Sequence, residues 1–107
     1  MFLAKVTGHV VATAKDKTLN GQKLLVVEPL NVKYDEATGK PASLGNTNRA
    51  IVAIDAVGAG EGQLVLIVQG SSARMTEQTK NLPADAVIVG IVDSATYAGK
   101  TFFQAQG

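Results

Sequence analysis

The chain has 107 residues, with ten Lys and Arg against nine Asp and Glu and a formal charge of +1. It contains no cysteine, which excludes a disulfide scaffold or a thiolate metal site. Its charges are mixed along the chain, forming neither the basic stripe that binds nucleic acid nor the polybasic segment that binds a membrane surface. A chain of this length implies one domain, expected over 1–107, burying about 60–70% of its unfolded surface. No apolar run nears the roughly 18 residues of a membrane span. The N-terminus lacks a signal-peptide pattern, so a soluble, intracellular protein is expected.

Taken in order, the first element is a strand over 2–13. Phe2, Ala4, Val6, Gly8, Val10 and Ala12 alternate with Lys5, Thr7, His9 and Thr13, the period of two that gives one packed and one wetter face. His9 falls on the polar face and reads as a solvated or cross-strand residue. Without a second histidine or a cysteine, no metal site is expected around it. Asn20-Gly21 signals a turn. A second strand follows over 23–30, with Pro29 marking its end or an edge because proline cannot donate to a ladder.

Residues 31–48 are the least apolar section. Within them 35–41 reads as an exposed hairpin tip, since a long structureless loop is uncommon in a compact domain. Third and fourth strands are expected over 49–57 and 63–69, and a fifth over 86–97. Ser71 to about Gln78 suggests one or two helical turns with a serine N-cap. A last short segment carries Phe102 and Phe103.

These elements point to an all-β fold: a small five-stranded Greek-key barrel with one short helix and an extra hairpin. An antiparallel barrel has one inside face, so its strands should alternate. Strands three to five are instead apolar on both faces, through Val52, Ile54, Val65, Ile67, Val87, Val89 and their neighbours. Each such side chain is worth about 1.5–3 kcal/mol when buried, and a monomer rarely leaves such a patch in water. A subunit interface in a closed homo-oligomer is the expected cover.

The chain centres on 51–74, an apolar strand, a turn with alternating Gly58, Gly60 and Gly62, a second strand, and a small-residue loop of Gly70, Ser71, Ser72, Ala73 and Arg74. Glycine at this density suggests a crowded approach. The turn is not a dinucleotide fingerprint, because Gln63 stands where the third glycine belongs and a strand follows instead of a helix. Gly99-Lys100-Thr101 likewise lacks the first glycine and the helix of a phosphate loop. No nucleophile–base arrangement is evident, so neither catalysis nor a cofactor is expected. The carboxylates Asp55, Glu61, Asp85 and Asp93 read as ion-pair or turn residues.

Several blocks resemble the vertex proteins of bacterial microcompartment shells, the family shared by carboxysomes and catabolic compartments. They are Phe2-Leu-Ala-Lys-Val-Thr-Gly-His-Val-Val-Ala-Thr13, Leu24-Leu-Val-Val27, Asp55-Ala-Val-Gly-Ala-Gly60, Gly70-Ser-Ser-Ala-Arg74 and Pro83-Ala-Asp-Ala-Val-Ile-Val-Gly-Ile-Val-Asp93. The main departure is the excursion 31–48, longer than in compact members. The resemblance implies an OB-related barrel that forms a homopentamer, plugs the vertices of an icosahedral shell in the bacterial cytoplasm, and contacts hexamer-forming shell proteins. It implies a structural protein and not an enzyme, while the mixed charges lead us to expect neither nucleic acid nor membrane as a partner.

On that picture Asp55, Gly58, Gly60, Gly70, Ser71, Ser72, Ala73 and Arg74 form the candidate subunit interface or five-fold opening, with Arg74 reaching Asp55 or Glu61 of a neighbour. Alternatively, Ser71 merely caps a helical turn and Arg74 is solvated. The competing function is an OB-type binding module for single-stranded nucleic acid or oligosaccharide. It wants aromatics stacked along a basic groove, whereas Phe2, Tyr34, Tyr97, Phe102 and Phe103 all lie outside the expected second to fourth strands.

Overall fold

A computed structural model describes residues 1–13, 22–70 and 85–106. Eight strands appear among them: β1 (Phe2–Val10), β2 (Leu24–Tyr34), β3 (Pro41–Asn46), β4 (Ile51–Asp55), β5 (Leu64–Gln69), β6 (Ala86–Ile91), β7 (Ser94–Tyr97) and β8 (Lys100–Gln104). The first sheet runs β1-β5-β6-β4-β2-β3, and an additional β1–β2 pairing closes five of its strands into a ring. All ladders in that ring are antiparallel except β4–β6. This is the connectivity of an OB-type Greek-key barrel.

Closure depends on β1 serving two neighbours. Phe2–Lys5 pairs with β5 along one edge, while Ala4–Val10 pairs with β2 along the other. The β2 register shifts between Val6 and Gly8, leaving Thr7 as an extra residue whose hydroxyl donates to Val26 O at 3.3 Å. A bulge of this kind strengthens local twist and helps a short sheet curl onto itself. The inward set Ala4, Val6, Leu25, Val27, Ala53, Val65, Ile67, Ala86 and Ile88 fills the barrel and is almost wholly shielded from water.

Several boundaries differ from expectation. The first strand stops at Val10, and Val11 beyond it is exposed. Pro29 does not end β2, which continues to Tyr34. Instead it sits where β2 changes partner, from β4 (ending at Val27↔Ile51) to β3 (starting at Leu30↔Asn46). The missing donor therefore falls at a seam, where Thr47 Oγ1 donates to Pro29 O at 2.7 Å. The expected hairpin over 31–48 is present as β2–β3. Its tip is closed by Asp35, whose Oδ1 accepts from Ala37 N and whose backbone O accepts from Gly39 N.

The expected strand 86–97 is two strands. β6 ends at Ile91, opposite Val65, where β5 itself begins to run out. Val92 N donates to Leu64 O and Ala105 N to Asp93 O, so the chain swings away and β7 pairs only with β8. Arg49, Ala50, Ala56 and Val57 likewise fall outside β4. The expected helix over 71–78 and the Asn20-Gly21 turn lie outside the described residues. No α-helix lies among the described residues.

Candidate subunit interface

The glycine turn is built on Asp55. Its side chain is 1% exposed, and its Oδ1 accepts from Val57 N and Gly58 N, both at 3.0 Å. This is the local capping that lets Asp turn a chain. Gly58 and Gly62 hold φ of 82° and 88°, a region costly for any residue with a Cβ. Between them Ala59 drops into the barrel mouth and is fully buried in the core cluster. Gly60 N donates to Gln63 Oε1, Gln63 N to Gly60 O, and Gly62 N to Val6 O, so the turn is stitched both to itself and to β1. Glu61 Oε1 lies 3.2 Å from His9 Nδ1 on the outer surface. His9 thus meets the glycine turn at the exposed surface.

The sequence suggested crowding at these glycines. Within the protomer, however, a Cβ at Gly58 or Gly62 would meet nothing within 4 Å, and at Gly60 only Gln63 Oε1 at 3.9 Å. Within the protomer, then, two of the three are required by backbone conformation. Lys23 is the residue that sequence reasoning missed. Its Nζ donates to Ala59 O at 2.7 Å and lies 3.6 Å from Asp55 Oδ2, a buried oxygen with no hydrogen bond of its own. Nothing in the spacing of Lys23 from Asp55 signals this; only the β2–β4 register, Leu24↔Ile54, brings them together.

Gly70 sits elsewhere. It follows β5, whereas the glycine turn precedes it, so the two flank a six-residue strand about 20 Å long. Gly70 has φ of 65°, and its N donates to Asp85 O at 2.9 Å, drawing together the two ends of the segment 71–84. Ser71, Ser72, Ala73 and Arg74 lie outside the described residues. The structure thus gathers Asp55, Gly58 and Gly60 into one capped turn and sets Gly70 at the far end of β5.

The outer apolar face is continuous across strands through the pairs Val26↔Val52, Leu24↔Ile54, Ile54↔Val87 and Val68↔Val87. Its centre is already covered: Ile54 and Val87 are buried, with Leu24, Ala56, Val68 and Val89 packed against them. The part left in water is narrower than the sequence suggested. Val52 is 52% exposed, Val57 39% and Ile91 37%. Val52 and Val57 lie on or beside one barrel wall, a modest patch that can be buried against another chain, whereas Ile91 stands opposite the core residue Val65 and shares its inward side.

Residues 1–93 match the family described as "Ethanolamine utilisation protein EutN/carboxysome". The chain is 41% identical over 103 residues to the bacterial microcompartment shell vertex protein EutN of Salmonella typhimurium, covering 96% of this chain and 94% of that one. Among solved structures, a carboxysome subunit, CcmL, superposes with a TM-score of 0.83 at 39% identity, covering 99% of this chain and 100% of the other. The GrpN pentameric microcompartment shell protein from Rhodospirillum rubrum superposes with a TM-score of 0.73 at 41% identity, over 92% of this chain and 100% of that one.

Proposed function

The chain belongs to the EutN/carboxysome family, and from that membership we propose that it is a pentameric vertex protein of a bacterial microcompartment shell in the bacterial cytoplasm. The observation that carries this reading is the match of fold and sequence, over nearly the whole chain, to a shell protein that is itself pentameric. The role is structural and the mechanism geometric. A five-fold unit set among six-fold units introduces the curvature that closes a polyhedron, so no substrate is turned over.

In this reading the copies meet along the outer barrel wall, with Val52 and Val57 buried between neighbours and the capped Gly58–Gly62 turn at the contact. Gly70 and the small residues Ser71, Ser72 and Ala73 line the five-fold axis, and Arg74 pairs with a carboxylate across the interface. Support comes from the exposed aliphatic positions on an otherwise well-covered wall and from the run of small residues ending in one cation. The other partners are the hexamer-forming shell proteins. Neither nucleic acid nor membrane is a partner, in keeping with the near-neutral charge.

Native mass spectrometry tests the proposal. A species of five subunits is expected, and a monomer at micromolar concentration would overturn it. Arg74→Ala is expected to shift the population towards smaller species; if the variant stays fully pentameric, Arg74 has no interface role.

A further inference from the structure

The molecule is elongated, 52 × 25 × 24 Å, because β2 continues past the barrel into the β2–β3 hairpin and the β7–β8 hairpin packs beside it through β3 and β8. The tips of the two hairpins enclose a cleft of about 280 Å³ that Asp35, Thr38, Lys40, Tyr97, Ala98 and Lys100 help to line. Both lysines are exposed, and neither forms an ion pair among the described residues. Asp35 is the one carboxylate in the lining, and its Oδ1 accepts from Ala37 N at 2.8 Å. Thr38 Oγ1 accepts from Lys40 N at 3.3 Å, which leaves its own hydroxyl hydrogen to donate. Two lysines against one aspartate leave the lining net positive.

The wall carrying Tyr97 and Lys100 is held in an unusual conformation. Ala98 and Gly99 form the two-residue connection between β7 and β8 with φ of 51° and 81°. Positive φ at both positions is what a type I′ hairpin turn requires, and it is normally met by Asn-Gly or Gly-Gly. An alanine there is a strained choice, yet the turn is made and brings Lys100 directly opposite Tyr97.

We propose that this cleft receives a carboxylate side chain presented by a different protein of the shell. The inference rests on the shell reading above and names the chemistry of one of its contacts. The cleft is suited to that role by position. Along β2 it lies about nine residues, or roughly 30 Å, beyond Val26, away from the exposed Val52 that pairs with Val26. A ring of copies presents it once per subunit, and individually weak ion pairs gain from such repetition through effective concentration. Charge complementarity at an exposed contact chiefly fixes partner and register, which is what a vertex unit needs in order to seat in one orientation.

The test uses shells assembled from this protein and the hexamer-forming shell proteins of the same microcompartment, treated with a zero-length carbodiimide that joins an amine to a carboxylate. Peptide mass spectrometry is expected to find Lys40 or Lys100 joined to an Asp or Glu of a hexamer-forming protein. Links from these lysines only to a second copy of this chain would overturn the proposal. So would no link from either lysine while Lys5 or Lys33 reacts. The variant Lys40→Glu/Lys100→Glu is expected to remain a full pentamer and to lose at least tenfold in its occupancy of purified shells; unchanged occupancy would also overturn it. Failure of the wild-type chain to form pentamers or enter shells overturns the shell reading as well, whereas failure of the lysine arms alone removes only the cleft.

Discussion

Lys23 sets its ammonium 3.6 Å from Oδ2 of Asp55, and it is the only described cation placed to compensate that carboxylate. Asp55 is almost completely buried while Lys23 remains half-exposed. The pair is therefore asymmetric: the lysine keeps much of its hydration and the aspartate has given up nearly all of its own. Removing one partner of a buried charge costs more than the pair itself contributes. Lys23→Met is expected to destabilise the chain by about 2 kcal/mol, read as a lower urea midpoint. Adding Asp55→Asn should recover more than half of the loss, because the amide oxygen still accepts from Val57 N and Gly58 N while the uncompensated charge is gone. Equal midpoints for Lys23→Met and wild type would show that the turn does not depend on this contact.

The three alternating glycines should separate under substitution. Gly58→Ala and Gly62→Ala force a Cβ into positive φ and are each expected to cost about 1–2 kcal/mol. Gly60 is not in that region and has open space around it, so Gly60→Ala should leave protomer stability within about 0.5 kcal/mol. If copies converge on the turn, that same variant weakens the oligomer. Denaturation and native mass spectrometry on one preparation distinguish conformational glycine from interfacial glycine.

Inside and outside faces of the barrel should also respond differently. Ile88 is fully buried, and Ile88→Ala is expected to lose about 2–5 kcal/mol of stability through lost burial and the cavity left behind. Val52 lies half in water opposite Val26. Val52→Glu is expected to change protomer stability by no more than about 0.5 kcal/mol while converting the pentamer to smaller species. An intact Val52→Glu pentamer would place the contact elsewhere on the surface.

At the far end of the molecule, Ala98 is a residue in the left-handed region without glycine's freedom. Ala98→Asn supplies the residue that a type I′ turn prefers before glycine. It is expected to raise stability by about 0.5–1 kcal/mol, seen as a higher thermal midpoint. No gain would mean that the surrounding hairpins relieve the strain in another way.

Much of the fold could be read directly from the sequence. Period-two patterning marks the inward set of β1, and runs of Val, Ile and Leu mark β4, β5 and β6, because burial against a barrel core demands those side chains. The hairpin over 31–48 was legible from its turn residues, Asp35 and Gly39, which close the tip as their chemistry suggests. The blocks around the glycine turn and around Arg74 carried the family resemblance that the comparisons bear out.

Other features depended on which strands become neighbours. Pro29 was expected at a strand's end or an edge; β2 runs on through it, and it marks a change of partner, since its missing donor matters only relative to the strand beside it. The split at Val92 arose because β5 offers no further ladder to β6, a register fact that no local window contains. The glycine stretch divided into a capped turn and a distant Gly70, because β5 runs the length of the barrel between them. Lys23 and Asp55 lie 32 positions apart in a chain whose charges look evenly mixed. Composition and pattern determined which faces are apolar and where the chain can turn, through the local physics of burial and backbone conformation. Only the closed barrel decided which buried carboxylate meets which lysine, because that pairing is set by strand register.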